Sequence, residues 1–209
     1  MNITVIFFLG LIIALIGVVP PGLLNMTAAK ISLKEGYARG IIFSVGVCFI
    51  VFLQTYIAAM FARYLSNHQS VVEILQRVAF VIFVLITIYF LLLAKSFQKP
   101  DVEPLAKSKQ SRFFQGIFLS AINVFPIPYQ AYMTITIASF GWFAFDVTSI
   151  VTYCSGASTG TFVMLYVYIF FFDKVKDKKF TSQKNMNYII GTITGLVAGV
   201  TFINILMEL

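Results

Sequence analysis

Long apolar stretches, separated by short polar segments, occupy most of the chain. Six of these stretches are about 20 residues long, the length that a helix needs to cross a bilayer. We therefore predict six transmembrane helices, at residues 3–29, 40–62, 71–94, 113–140, 146–172 and 187–207. No polar stretch between them is long enough to fold alone. The pattern predicts an all-α integral membrane protein with a single transmembrane domain, residues 1–209.

The first and fourth predicted helices are interrupted by proline at corresponding places. Residues 18–25 read VVPPGLLN and residues 123–130 read NVFPIPYQ, with Pro126 placed 106 residues after Pro20. Proline has no amide hydrogen and clashes with the carbonyl four residues back, so each sequence breaks its helix. Such breaks persist inside a bilayer only where they are buried in protein or line a cavity. Paired breaks in two halves are typical of the binding sites of secondary transporters.

The basic residues indicate how the chain crosses the membrane. Of the 15 lysines and arginines, 13 fall in the segments after the first, third and fifth predicted helices, and only Arg63 and Arg77 fall on the opposite side. Because cytoplasmic loops accumulate Lys and Arg, we expect those segments to be cytoplasmic and both termini to be outside. The chain then consists of two inverted three-helix repeats, residues 1–94 and 113–209, joined by a cytoplasmic linker, residues 95–112.

Composition and charge exclude several classes of protein. Hydrophobic residues make up 59% of the chain and charged residues 11%, whereas soluble domains carry about 25% charged residues. The net charge of +7 is carried by loops that would face anionic lipid, so it does not indicate a nucleic-acid partner.

Few titratable side chains are placed where chemistry would need them. The only histidine, His68, falls in an outer loop, and the acidic residues, among them Glu35, fall at helix ends or in loops. General acid–base catalysis needs a titratable group in the site, and metal ions need clustered ligands. We therefore predict no enzyme activity, no metal site and no cofactor. Asp146, at the outer entrance of the fifth helix, is the nearest candidate for a proton carrier.

Each break offers backbone groups that suit a small zwitterion. Proline frees carbonyls one turn earlier, such as that of Val124, and the half-helix beyond begins with free amides, such as that of Tyr129. Free amides at a helix start attract a carboxylate, and free carbonyls can hold an ammonium. The residues predicted to bind the substrate are Pro20, Pro21, Gly22, Asn25, Asn123, Pro126, Pro128, Tyr129 and Gln130. The alternative is that the prolines only kink the helices and shape their packing.

Other polar and small residues inside the predicted helices have two interpretations each. The weaker candidates for lining a translocation path are Gln54, Ser155, Ser158 and Thr159. Gln54 can equally make a hydrogen bond between helices. The glycines spaced by four in the fifth helix (Gly156, Gly160) and the sixth (Gly191, Gly195, Gly199) predict close helix packing, within the monomer or in a homodimer.

The residues around both breaks resemble the LysE/RhtB superfamily of amino-acid exporters. The segment 20–25, PPGLLN, is similar to that family's break in its first helix, and 113–123, FFQGIFLSAIN, is similar to its entry into the fourth. Length, six helices and short loops agree over the whole chain. Family members often carry an acidic residue where this chain has Ile50 and Val51. The resemblance implies export of amino acids or similar small metabolites across the bacterial inner membrane.

The sequence thus favours a secondary exporter of small zwitterions and leaves two alternatives open. One is a membrane-embedded scaffold or lipid-handling protein that assembles through its glycine faces and has no solute site. The other is a cation exporter in which backbone carbonyls act as ligands. The identity of the substrate and of the coupling ion does not follow from the residues.

Overall fold

The structure is a computed structural model. It describes residues 2–19, 22–68, 77, 80, 81, 84–93, 108–175, 188, 191, 192, 195, 198, 199, 202 and 203. The described residues are helical in every regular element and include no β-strand. Pro20 and Pro21, most of the predicted linker and most of the sixth predicted helix lie outside them.

The chain divides into two compact units. Unit 1 comprises Met1–Ser66 and Glu103–Val175, and unit 2 comprises Asn67–Val102 and Lys176–Leu209. The division cuts across the predicted halves, because each half contributes two predicted helices to unit 1 and one to unit 2.

In the part of unit 1 that the structure describes there are six helical elements, four of them short. They are α1 (Ile3–Val18), α2 (Leu23–Glu35), α3 (Tyr37–Ser66), α4 (Lys109–Ile122), α5 (Pro126–Ser139) and α6 (Val147–Val175). Both α3 and α6 are long and apolar enough to cross a bilayer, and α1 with α2 would form a third crossing bent by 80°. Within the described residues this makes two or three candidate crossings, as expected of a membrane protein.

Two helices extend beyond the apolar stretches that predicted them. Helix α2 continues past residue 29 to Glu35 and ends at Gly36, whose φ of 94° suits glycine alone. Helix α4 begins at Lys109, so the end of the predicted linker is helical. The Ser108 side chain caps it by accepting a hydrogen bond from the Ser111 amide at 3.1 Å.

Two pairs of helices in unit 1 are so close that only glycine fits between them. Between α1 and α6, a Cβ on Gly10 would overlap the carbonyl oxygen of Tyr153, and one on Gly156 would overlap that of Phe7. Helices α1 and α6 therefore pack backbone against backbone, which the small-residue pattern of α6 predicted.

The same arrangement recurs between α3 and α4. A Cβ on Gly116 would overlap the carbonyl oxygen of Phe43, and one on Gly46 would overlap that of Phe113. The α1 and α4 partners, Phe7 with Phe113 and Gly10 with Gly116, are 106 residues apart, and the α3 and α6 partners are 110 residues apart. The α1–α6 contact and the α3–α4 contact in unit 1 are therefore equivalent.

The contacts also give the relative directions of these helices. From Phe7 to Leu11, α1 passes from Gly156 to Gly160 of α6, so the two helices run in the same direction. Helix α4 likewise runs in the same direction as α3, because Gly46 lies against Phe113 whereas Gln54, further along α3, reaches Ser120 and Asn123 further along α4. Helices α3 and α6 run in opposite directions, as their contacts show: the Ser158 hydroxyl donates to the Cys48 carbonyl at 3.0 Å, and Gly40 lies against Ile169. Consequently α1 and α4 point in opposite directions.

The short helix α2 packs against α3 and α6, and the short helix α5 packs against α3. In one apolar cluster Leu24, Ala28 and Ile31 of α2 lie against α3 and α6, with Phe43 and Leu165 fully buried. A cluster of alanines, Ala58, Ala62 and Ala131, joins α3 to α5. The core of unit 1 is therefore formed by the elements that flank the two breaks.

In unit 2 the described residues include a short π-helical stretch, Tyr89–Leu93. A Cβ on Gly191 would come within 2.6 Å of Leu91, whereas one on Gly199 would meet nothing within 4 Å. The glycine face of the sixth predicted helix thus packs within the chain at one end. A groove of about 350 Å³, lined by apolar residues and both Gly195 and Gly199, lies at the other.

Candidate functional site

The first break separates α1 from α2, and its carbonyls are hydrogen-bonded by side chains. Asn25 is 4% exposed and donates from Nδ2 to the Val18 carbonyl at 2.7 Å. The Tyr168 hydroxyl of α6, which lies beside Asn25, donates to the Val19 carbonyl at 2.8 Å. Gly22 caps α2 with extended backbone and accepts from the Met26 amide at 3.0 Å. Asn25 therefore links the two helices on either side of the first break, where the sequence predicted that it would lie.

The second break separates α4 from α5, and Gln54 of α3 donates hydrogen bonds to its carbonyls. Gln54 is 5% exposed, and its Nε2 donates to the carbonyls of Ser120 at 3.1 Å and Asn123 at 2.9 Å. These two bonds fix the amide, because only its nitrogen can donate to a carbonyl. The predicted helix-to-helix bond of Gln54 is thus present.

The two breaks are built alike. Val19 follows the last residue of α1 and Asn123 the last residue of α4. Each of these carbonyls accepts a hydrogen bond from the long helix that packs against the helix it ends, through Tyr168 of α6 or Gln54 of α3. Carbonyls that a ligand could use are therefore held by neutral donors of the protein.

Two finer predictions about the second break are wrong. The Val124 carbonyl accepts from the Ile127 amide at 3.2 Å, and the Tyr129 amide donates to the Phe125 carbonyl at 3.4 Å, so neither group is free. The reason is local: Phe125 adopts helical dihedrals, φ −56° and ψ −36°, so a turn closes over the prolines. The prolines occupy the first turn of α5, where their missing amides cost nothing.

Tyr129 and Gln130 connect α5 to the helices around it. The Tyr129 hydroxyl donates to the Ile13 carbonyl of α1 at 2.8 Å, and its ring fills the space beside Gly17. Gln130 is 3% exposed, and its Oε1 accepts from the Tyr153 hydroxyl of α6 at 2.7 Å. These side chains bring the second break towards α1, the helix that leads into the first.

The pathway candidates in α6 divide into two kinds. Ser155 and Thr159 donate to carbonyls one turn back in their own helix, at 2.8 Å each, which is how hydroxyls satisfy themselves in apolar surroundings. Ser158 instead reaches α3. Of these three hydroxyls, that of Ser158 makes the hydrogen bond that joins two helices within the described residues.

Two buried polar atoms of α3 have no partner among the described residues. Gln54 Oε1 and Thr55 Oγ1 are inaccessible and make no hydrogen bond within the described residues. An unpaired buried polar atom costs about 1–3 kcal/mol, so native proteins keep few of them. Since Gln54 Nε2 must face the carbonyls, Oε1 is left to accept a bond from a hydroxyl or an ammonium.

The sequence did not predict the contacts of several polar side chains in unit 1. Tyr153 and Tyr168 are two of ten tyrosines, and no local pattern separates them from interfacial tyrosines. Glu35 and Arg112 were assigned to loops, yet their side chains are each 5% exposed and form an ion pair. Asp146, the candidate proton carrier, caps α6: bonds from the Ser149 hydroxyl at 2.6 Å and amide at 3.0 Å lower the pKa of its carboxyl.

Replacing Asn25 by alanine should lower the free energy of unfolding by about 1–3 kcal/mol, because the partly buried Val18 carbonyl loses its donor. Asn123→Ala is the matched control, since Asn123 accepts through its backbone, and it should change stability by less than about 0.5 kcal/mol. Thermal melting in detergent compares the two. Equal melting temperatures would contradict the role given to Asn25.

No group of three or more His, Cys, Asp or Glu side chains that could hold a metal ion is present among the residues described. What the site offers is uncharged: amides, hydroxyls and carbonyls at two breaks. Searches of the chain against protein-family models, curated proteins and solved structures found no match.

Proposed function

We propose that the chain is a secondary transporter that exports amino acids or similar small zwitterions across the bacterial inner membrane, as the resemblance to the LysE/RhtB superfamily implies. The observation that carries the proposal is the pair of equivalent breaks. Each cap carbonyl, of Val19 and of Asn123, is held by one side chain of the long helix from the opposite half. Breaks that recur in two halves suit a solute site between them.

The proposed architecture is six helices in two inverted repeats. It is supported by contacts that recur at separations of 106 and 110 residues. The opposite directions of α1 and α4 support it too, because a repeat of three helices must insert in opposite senses. In this arrangement α1 with α2 and α4 with α5 are the two broken helices.

The proposed solute site consists of the break carbonyls, which are hydrogen-bonded to side chains of the protein in the described structure. The carbonyls of Val18, Val19 and Asn123 accept from an amide or a hydroxyl, which are neutral donors. Hydrogen bonds from a charged ammonium are roughly twice as strong as neutral ones, so a solute ammonium can replace them when the helices part. The unpaired Oε1 of Gln54 would add one acceptor.

A scaffold without a solute site is the second candidate, and one observation favours it. The carbonyls at both breaks already have partners inside the protein, so the described state needs no ligand. Such a protein would assemble through apolar surfaces, for which the open groove at Gly195 and Gly199 is suited.

Metabolite analysis of the medium separates the two candidates. Cells overexpressing the chain should enrich one or a few zwitterionic metabolites in the medium relative to cells with an empty vector. Gln54→Leu, expressed to the same level, should abolish the enrichment because it removes both the carbonyl donor and the spare acceptor. Identical media from all three cultures would favour the scaffold.

The orientation is tested by thiol labelling. A cysteine at Ser108, the cap of α4, should not react with an impermeant maleimide added to intact cells, because 13 of 15 basic residues predict that this side is cytoplasmic. A cysteine at Asn67, exposed at the other end of α3, is the matched control and should react. The reverse pattern would overturn the proposed orientation.

A further inference from the structure

A buried ion pair joins α2 to α4. The Arg112 guanidinium binds the Glu35 carboxylate with two nitrogens: Nε donates to Oε2 at 2.9 Å, and Nη2 donates to Oε1. Nη1 of Arg112 donates to the Gln115 side chain. From α3, Arg39 donates to the Glu35 backbone carbonyl at 2.9 Å, and its Nε lies 3.9 Å from Glu35 Oε2. Charges from three elements thus meet at one end of unit 1.

Stability alone does not account for this pair. Helices α2 and α4 share few other contacts, because α2 packs against both α3 and α6, and α4 packs against α3. Removing two charges from water is costly, and well-packed apolar side chains of similar volume are often at least as stabilising as a buried ion pair. The best-attested use of such a pair is to select between alternative arrangements.

Helix α2 is the element whose position the pair controls. It has 13 residues between two joints: the 80° bend after α1 and Gly36, where a Cβ would meet nothing within 4 Å. Towards Gly36 its contact with α3 is formed by small residues, with Ser32 and Ala28 lying on Gly40, whereas Leu24 and Ile31 belong to the apolar cluster shared with α3 and α6. Helices α3 and α4 are instead interlocked by their glycines. A movement here would carry α2 away from α3, α4 and α6 together.

We propose that the Glu35–Arg112 ion pair is a latch that holds α2 against α3 and α4, and that opening it lets α2 move out as a rigid helix. The inference rests on the proposed transport function for its purpose, since α2 carries Asn25 at the first break and its departure would open the site. In the proposed orientation the latch lies at the cytoplasmic end. The movement itself requires no solute and is tested without one.

The test is the labelling rate of a cysteine at Ser32 in purified, detergent-solubilised protein. Cys48 and Cys154 are first replaced by alanine, and Ser32→Cys is then combined with Glu35→Gln, with Arg112→Gln, and with both. Ser32 is buried under α3, so labelling by a soluble maleimide should be slow with the latch intact. Each unlatched variant should be labelled at least about tenfold faster, the shift expected when a charge-assisted hydrogen bond is lost.

The double variant is decisive, because it removes both charges of the pair and should remain folded even where a single variant does not. Tyr37→Cys, exposed at the start of α3, is the matched control and should react at one rate in every background. A folded double variant whose Ser32→Cys thiol reacts as slowly as with the latch intact would overturn the latch. So would faster labelling of Tyr37→Cys to the same degree, or a double variant that fails to fold, since both would make the pair a structural requirement. None of these outcomes depends on whether the protein transports a solute.

Discussion

Replacing Gly116 by alanine should force α4 away from α3 and lower the free energy of unfolding by roughly 3 kcal/mol, the upper part of the usual range for overpacking. The added Cβ would overlap the Phe43 carbonyl oxygen and lie 3.1 Å from the Val47 amide nitrogen. Both are backbone atoms, so no side-chain rotation can relieve the clash. Chemical denaturation of the purified protein measures the loss.

Two further variants make this test specific. Gly199→Ala is the same change where a Cβ would meet nothing within 4 Å, and it should leave stability unchanged or slightly raised, because alanine favours helix over glycine. Gly10→Ala, the equivalent of Gly116 in the other half, should cost about as much as Gly116→Ala. If Gly116→Ala melts like Gly199→Ala, the helices do not pack as closely as described.

The helices of unit 1 could be predicted from the sequence, but their ends could not. Both α3 and α6 lie within a few residues of their apolar stretches, and the interruptions fall where proline predicts them, after Val18 and after Ile122. Polar residues carry α2 to Glu35 and start α4 at Lys109. A hydropathy pattern cannot reveal these extensions, because they are fixed by a cap and by contacts with other helices.

The sequence predicted close helix packing at glycines, but it did not identify all of the glycines at which helices meet. The pattern of glycines four residues apart identified Gly156 and Gly160, which both lie against α1, but it overlooked Gly10, Gly46 and Gly116. Spacing within one helix shows that a face is smooth, whereas close approach depends on two helices meeting at the right height. Which glycines face each other on two helices is known only from the structure, where the contacts recur at separations of 106 and 110 residues.

The charges of unit 1 were the hardest feature to place. Glu35 and Arg112 are 77 residues apart, and each lies next to a polar segment, so hydropathy assigns both to loops. Their burial results from α2, α3 and α4 converging, which is a tertiary property. Likewise, the sequence identified the carbonyls at the breaks as groups needing partners, but it could not show that Gln54 and Tyr168 supply them.

Replacing Pro126 and Pro128 together by alanine should abolish transport while leaving the protein folded. The two restored amides allow α4 and α5 to join through residues 123–125 into one continuous helix. The Asn123 carbonyl would then turn from Gln54 into the helix, which removes the polar groups proposed to meet the solute. We expect efflux of labelled amino acids from proteoliposomes to fall at least tenfold, roughly the effect of losing one buried hydrogen bond or more.

Pro104→Ala, in the polar segment before α4 and outside the described residues, is the matched control and should transport like the unaltered protein. Melting temperatures of all three proteins show whether lost efflux reflects unfolding. The double variant should melt at the same temperature or higher, since a closed helix gains backbone hydrogen bonds. Full efflux from a folded double variant would mean that the prolines only shape packing. The polar groups at the second break would then be structural, as the scaffold candidate requires.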